Sequence, residues 1–125
     1  MRNLALVSVG LAGLLHVGFF LMESVWWRRP AIHRRFGIRS QEEADLNAFA
    51  LYNQGFYNLG LGIGAFVGIG LDLADNASGG PIIVFASAIM LLASIVLVSA
   101  RKALAPAAAV QGLPPLIAIL ALLAS

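Results

Sequence analysis

The side chains best suited to chemistry in this sequence are a few polar residues inside long apolar stretches. His16 and Glu23 lie in the first stretch, and an α-helix would place them within about 20° of one face. An ionised carboxyl group in hydrocarbon costs about 2.5 kcal/mol or more, so Glu23 should be protonated or hydrogen-bonded to amides. Alternatively it reaches water or pairs with Arg28 or Arg29. We predict Glu23 as a proton donor or acceptor and His16 as a second acid–base group.

A second polar cluster lies in the next apolar stretch, within residues 53–58. On a helix, Asn47, Gln54 and Asn58 would fall within about 40° of one another, with Tyr57 beside them. Amide and phenol groups can orient a substrate oxygen and stabilise developing charge. We therefore predict Tyr57 as a third catalytic residue. The predicted substrate-binding residues are Asn53, Gln54, Asn58, Phe19, Phe20, Trp27 and Gln111.

An antiparallel hairpin of these two stretches would bring the polar groups together. In this register Glu23 lies level with Asn47, and His16 lies level with the region from Gln54 to Asn58. The resulting cavity would have apolar walls and a few polar groups, which suits a lipophilic molecule with one or two oxygen functions.

Metal ions and cofactors are not predicted. A site built on His16 and Glu23 would need a third ligand, and His33 lies in a basic connection. The same placement of His33 argues against a bis-histidine haem within one chain, although a single axial His16 stays open. The chain has no cysteine, which excludes disulfides and thiolate ligands.

The elements that position these groups are membrane-spanning helices. Of 125 residues, 60% are hydrophobic and 11% are charged, which is far from the composition of a soluble domain. We predict one all-α domain over residues 1–125, a multi-pass protein of the cell membrane built as an up-down bundle of four transmembrane helices. Prolines predict a loop or kink before residue 114 in the last helix. The predicted helices span about 4–27, 46–71, 81–100 and 104–123.

Basic residues predict the orientation of the bundle. Seven of the eight lie in the first and third connections, and Arg2 is the exception. By the positive-inside rule, both termini face away from the cytoplasm. A net charge of +2 in this placement argues against nucleic-acid binding. The seven residues are Arg28, Arg29, Arg34, Arg35, Arg39, Arg101 and Lys102.

The first connection, from Arg28 to Asp45, mixes arginines with apolar residues. It either lies on anionic lipid or is a solvated loop whose arginines set the topology. Trp26 and Trp27 precede it and are typical of the headgroup border. Within it, Ser40 is the predicted N-cap of the next helix, with Glu43 three residues later.

A ridge of glycines in the second helix predicts close helix packing. Gly60, Gly64 and Gly68 are spaced four residues apart, which allows two backbones to approach. The ridge would serve either inside the bundle or as the contact of a homodimer.

Several segments resemble the small bacterial and fungal membrane proteins called domain of unknown function 1304. The resemblance covers essentially the whole chain and implies four helices, a histidine and a following glutamate in helix one, and an Asn-Gln-Gly-x-Tyr-Asn motif in helix two. The chain departs from the family at Leu15, Gly18 and Leu59, where the family has glutamate, an aromatic residue and glycine. A mechanism that needs two acids in helix one therefore does not fit this chain. The matching residues are His16, Glu23, Trp27, Asn53, Gln54, Gly55, Tyr57 and Asn58.

Three functions remain open on the sequence. The first is an intramembrane acid–base enzyme, such as an isomerase, cyclase or epoxide-opening enzyme acting on an isoprenoid or other lipid. The second is a small proton-coupled exporter, because such transporters share this length, four helices and one glutamate in helix one. The third is a structural or assembly partner of another membrane protein. The expected partners are membrane lipid and a small lipophilic molecule.

Overall fold

The computed structural model describes residues 1–125, and 86% of them are helical, with no strand. Four segments are long and apolar enough to cross a membrane: Arg2–Val25, Gln41–Leu73, Gly79–Ala100 and Lys102–Leu123. In chain order the α-helices are α1 (Arg2–Phe20), α2 (Pro30–His33), α3 (Gln41–Leu73), α4 (Gly79–Ala100) and α5 (Ala105–Leu123). A π-helical turn, Leu21–Val25, follows α1, and 3-10 turns cover Arg34–Phe36 and Lys102–Leu104.

The start of α3 follows from its cap. The Glu43 N–H donates to the Ser40 hydroxyl at 3.1 Å, which confirms Ser40 as the N-cap and satisfies one of the free N–H groups of the first turn. The helix therefore begins at Gln41, before the predicted start at about residue 46. Its first turn is mostly polar, so hydrophobicity alone does not reveal it.

The last helix is continuous across its prolines. The predicted helix over about 104–123 is confirmed as Ala105–Leu123; of the two alternatives before Pro114, a loop or a kink, the loop is excluded because this stretch is helical. Pro106 lies in the first turn of α5. Backbone N–H groups there have no partner within the helix, so the missing N–H of proline costs no hydrogen bond. Pro114 and Pro115 are buried, and a proline inside a membrane helix is tolerated when neighbouring groups satisfy the freed carbonyl.

The chain forms two compact units. One comprises Met1–Leu15 and Leu61–Ser125, and the other comprises His16–Gly60. The core of the first unit consists of small and aliphatic side chains: Val9, Ala12, Ala65, Ile83, Met90 and Ala118. Near its N-terminus, Arg2 pairs with Asp72 at 2.7 Å and with Asp75 at 3.5 Å.

Two glycines of the ridge, Gly64 and Gly68, pack inside the first unit. A Cβ at Gly64 would lie 3.8 Å from the Ala86 Cβ, and one at Gly68 would lie 2.7 Å from Ile83 Cγ1. Both glycines therefore face α4 of the same chain. Gly60 is exposed, and a homodimer through the ridge stays a prediction.

Candidate functional site

The second unit, His16–Gly60, contains the wide turn that follows α1. Residues Leu21–Val25 form a π-helical turn, in which the Trp26 N–H donates to the Leu21 carbonyl at 2.8 Å. This i to i+5 bond places one more residue in the turn than an α-helix holds, and such turns are frequent at functional sites. Glu23 lies in the middle of the turn.

The Glu23 carboxyl group is buried, with 3% of the residue exposed, and two amides of α3 hold it. Gln54 Nε2 donates to Oε1 at 2.9 Å, and Asn58 Nδ2 donates to Oε2 at 2.7 Å. Residues four apart share a helix face, so one stretch of α3 holds both oxygens. The prediction that amides of the second helix satisfy Glu23 is confirmed. The alternative, pairing with a neighbouring arginine, is not what the structure shows.

The predicted register of the hairpin is wrong. Glu23 was expected beside Asn47, but the Asn47 amide donates to the Glu43 carbonyl of its own helix at 2.8 Å. Gln54 and Asn58 were expected level with His16 and instead meet Glu23. The reason is the connection, which folds into short helical turns and lets α3 begin at Gln41.

The two halves of the hairpin approach closely at Gly55. A Cβ at this position would overlap the Ser24 hydroxyl and lie 3.2 Å from the Ser24 nitrogen. The same hydroxyl donates to the Tyr52 carbonyl at 2.8 Å. Small residues allow this kind of backbone contact between membrane helices. Gly55 therefore sets the spacing at which the amides reach Glu23.

Gly55→Ala should destabilise the protein by about 1–3 kcal/mol, because the added methyl group has no space. The matched control is Gly60→Ala, since a Cβ there meets nothing within 4 Å and alanine favours the helix. Thermal unfolding in detergent, followed by circular dichroism, measures both. Equal melting temperatures for the two variants would contradict the close approach at Gly55.

Several aromatic rings of this unit contact one another. The Phe20 ring packs edge-on against Phe56 with centroids 5.2 Å apart, and Tyr52 also packs edge-on against Phe56 at 5.1 Å. His16 is fully buried, and its ring lies edge-on to Phe19 at 5.4 Å. Of these predicted residues, His16 is thus buried in this unit, whereas Phe19 and Phe20 are partly buried.

Trp27 is buried inside the protein. It is 4% exposed, and its Nε1–H donates to the Ala44 carbonyl at 2.7 Å. Its ring packs against Phe36 and His33, with centroids 5.3 and 6.3 Å away. Trp26 is only half-buried, and the Arg29 guanidinium lies 5.5 Å from its ring centroid.

Other predicted site residues lie elsewhere. Asn53 and Tyr57 occupy an exposed face of α3, and 70% of Tyr57 is exposed. Gln111 is half-buried on α5, in the first unit. The roles assigned to these three residues stay predictions.

A pocket of about 530 Å³ lies beside Glu23. Some of its lining residues are not candidates from the sequence analysis, because only the register of α3 against the Glu23 turn shows that they lie beside Glu23. Asp45 and Tyr52 lie seven residues apart on α3, which places them on one helix face. The residues that line the pocket include Glu23, Ser24, Trp27, Arg28, Asp45 and Tyr52.

These features define a class: a small all-helical protein with four segments able to span a membrane and a buried carboxyl group clamped by two amides. Residues 10–123 match the family described as "Protein of unknown function (DUF1304)". The chain belongs to this family. No curated protein and no solved structure matches it.

Proposed function

We propose that the protein is a multi-pass protein of the cell membrane that binds a small lipophilic molecule beside Glu23 and acts on it by acid–base chemistry. An isomerase, a cyclase or an epoxide-opening enzyme acting on an isoprenoid or another lipid fits this description. The observation that carries the proposal is the Glu23 carboxyl group, which is held by two amides and lines a pocket of about 530 Å³. This volume is in the range of small-molecule sites.

The geometry suits a fixed proton carrier. Each Glu23 oxygen accepts one amide N–H and keeps a second lone pair, so the carboxylate can take a proton from a bound molecule without leaving its place. Returning this proton to another atom of the same molecule completes an isomerisation, with no net change in protons. Tyr52 and Trp27 line the pocket; in this proposal the Tyr52 hydroxyl holds a substrate oxygen and the Trp27 ring forms an apolar wall.

The proposal includes the arrangement in the membrane. The four helices form an up-down bundle with both termini away from the cytoplasm, so the arginine-rich first connection lies on the cytoplasmic side. Support comes from the placement of seven of the eight basic residues in two connections.

Glu23→Gln should lower product formation by about 100-fold or more, because it removes a general acid–base group while retaining the size of the side chain. Lipid extracts of cells that carry the wild type or the variant can be compared by mass spectrometry. The matched control is Glu43→Gln, which neutralises an exposed acid of α3 and should leave the products unchanged. A folded Glu23→Gln protein with an unaltered product profile would contradict the proposal.

A structural role is the second candidate. It is favoured by the same hydrogen bonds, since both Glu23 oxygens are satisfied and tie the helices together, as polar groups do in membrane bundles. In this case Glu23→Gln would lower the melting temperature and change no product.

A further inference from the structure

The connection between α1 and α3 is a folded element. The His33 ring is 1% exposed, and its Nδ1 lies 2.8 Å from the Ile38 carbonyl, within hydrogen-bond distance. Gly37 has a φ of 80°, a left-handed conformation that closes the 3-10 turn and favours glycine. Phe36 and His33 pack against the Trp27 ring, and these aromatic contacts anchor residues 28–39.

The outer side of this element carries a concentrated positive charge. Five arginines occur within twelve residues, and all five are exposed: Arg28, Arg29, Arg34, Arg35 and Arg39. The ion pairs of the chain involve Arg2 alone among the basic residues, so no acid neutralises these guanidinium groups. The acids of the same unit are engaged elsewhere or lie on α3: Glu23 binds two amides, and Asp45 accepts from Gln41 at 3.2 Å.

Apolar side chains lie among the arginines. Ile32, Phe36 and Ile38 are each partly exposed, and Trp26 lies under the Arg29 guanidinium. Guanidinium groups recognise phosphate oxygens in a bidentate manner, whereas the apolar side chains offer contacts to hydrocarbon at the edge of a membrane. A ligand that meets both needs has a phosphate group attached to acyl chains.

We propose that the outer face of residues 28–39 binds the headgroups of anionic phospholipids. The packing of Trp27, Phe36 and His33 holds the arginines in place. Several guanidinium groups are therefore preorganised to bind one headgroup. This inference is independent of the proposed enzymatic function, because the arginine face does not require Glu23.

The experiment compares lipid binding by the purified full chain in neutral detergent. Phosphatidylglycerol and phosphatidylcholine are added in turn, and bound lipid is counted by native mass spectrometry. The test variant is Arg34→Gln/Arg35→Gln. The matched control is Arg101→Gln/Lys102→Gln, which also removes two exposed charges, from the third connection.

The wild type should prefer phosphatidylglycerol. Each basic residue near a membrane surface contributes about 1 kcal/mol, which is roughly fivefold in affinity. The test variant should therefore lose about 25-fold in affinity for phosphatidylglycerol and change little towards phosphatidylcholine. The control variant should lose less than about threefold if the folded face, and not charge alone, holds the lipid.

Three outcomes would overturn the proposal. The first is equal binding of the two lipids by the wild type. The second is an equal loss in the test and control variants, which would leave the arginines as topology signals only. The third is displacement of phosphatidylglycerol by millimolar inorganic phosphate, which would identify free phosphate as the ligand. Circular dichroism of each variant checks that the helices are retained.

Discussion

Asn58→Asp is expected to destabilise the protein by about 3 kcal/mol or more, because it leaves a buried charge without its partner. The Asn58 amide now donates to Glu23 Oε2 at 2.7 Å. A carboxyl group in this place would turn a hydrogen bond into a contact between two like charges away from water. Thermal unfolding in detergent at neutral pH measures the loss. Lowering the pH should restore part of the stability, since a proton bound to one carboxyl group makes it a donor to the other.

Asn53→Asp is the matched control for this prediction. The substitution is chemically identical, but Asn53 lies on the exposed face of α3, and its effect should stay within about 0.5 kcal/mol. A similar melting temperature for both variants, or a loss that does not depend on pH in Asn58→Asp, would mean that Asn58 does not hold Glu23.

Trp27→Ala is expected to cost about 3–5 kcal/mol, as for other large aromatic residues removed from a core. The substitution empties the space against Phe36 and removes the hydrogen bond from the indole to the Ala44 carbonyl. In thermal unfolding in detergent, the variant should lose its helical signal at a lower temperature than the wild type. Trp27→Phe keeps most of the packing and isolates the hydrogen bond, at about 1 kcal/mol.

Trp26→Ala provides the comparison. Trp26 is half-buried and its ring contacts the Arg29 guanidinium, a contact of about 0.5–1 kcal/mol at exposed positions. Equal losses of melting temperature in Trp26→Ala and Trp27→Ala would contradict the difference in burial between the two tryptophans. The structure leads us to expect a clear difference.

The parts of the site that sequence could predict depend on local signals. Glu23 is an acid in an apolar stretch, so it needs polar partners, and the amides of the next helix offer them. Ser40 followed by Glu43 marks a helix start, which the Ser40 hydrogen bond confirms. Both inferences need only residue types and spacing within a few turns of helix.

The register and the pocket wall could not be predicted in this way. Which residues of α3 meet Glu23 depends on where α1 ends and how the connection folds, and both depend on contacts between distant residues. His33 illustrates this: its position among arginines suggests a solvated side chain, yet Trp27 packs against it and it is buried. Tyr52 lines the pocket where Tyr57 was expected, because Tyr57 lies on the exposed face of α3 and not on the face that meets Glu23.

The wide turn at Leu21–Val25 has a further consequence for how the site could be gained or lost. A π-helical turn is equivalent to one residue inserted into an α-helix. Here the turn ends the helix, since Trp26 leaves the helical conformation directly after it. A relative that lacked this single residue would retain its apolar helices but would aim Glu23 and Trp27 in other directions. The contact of the Glu23 carboxyl group with Gln54 and Asn58 is therefore expected to depend on the length of this one turn.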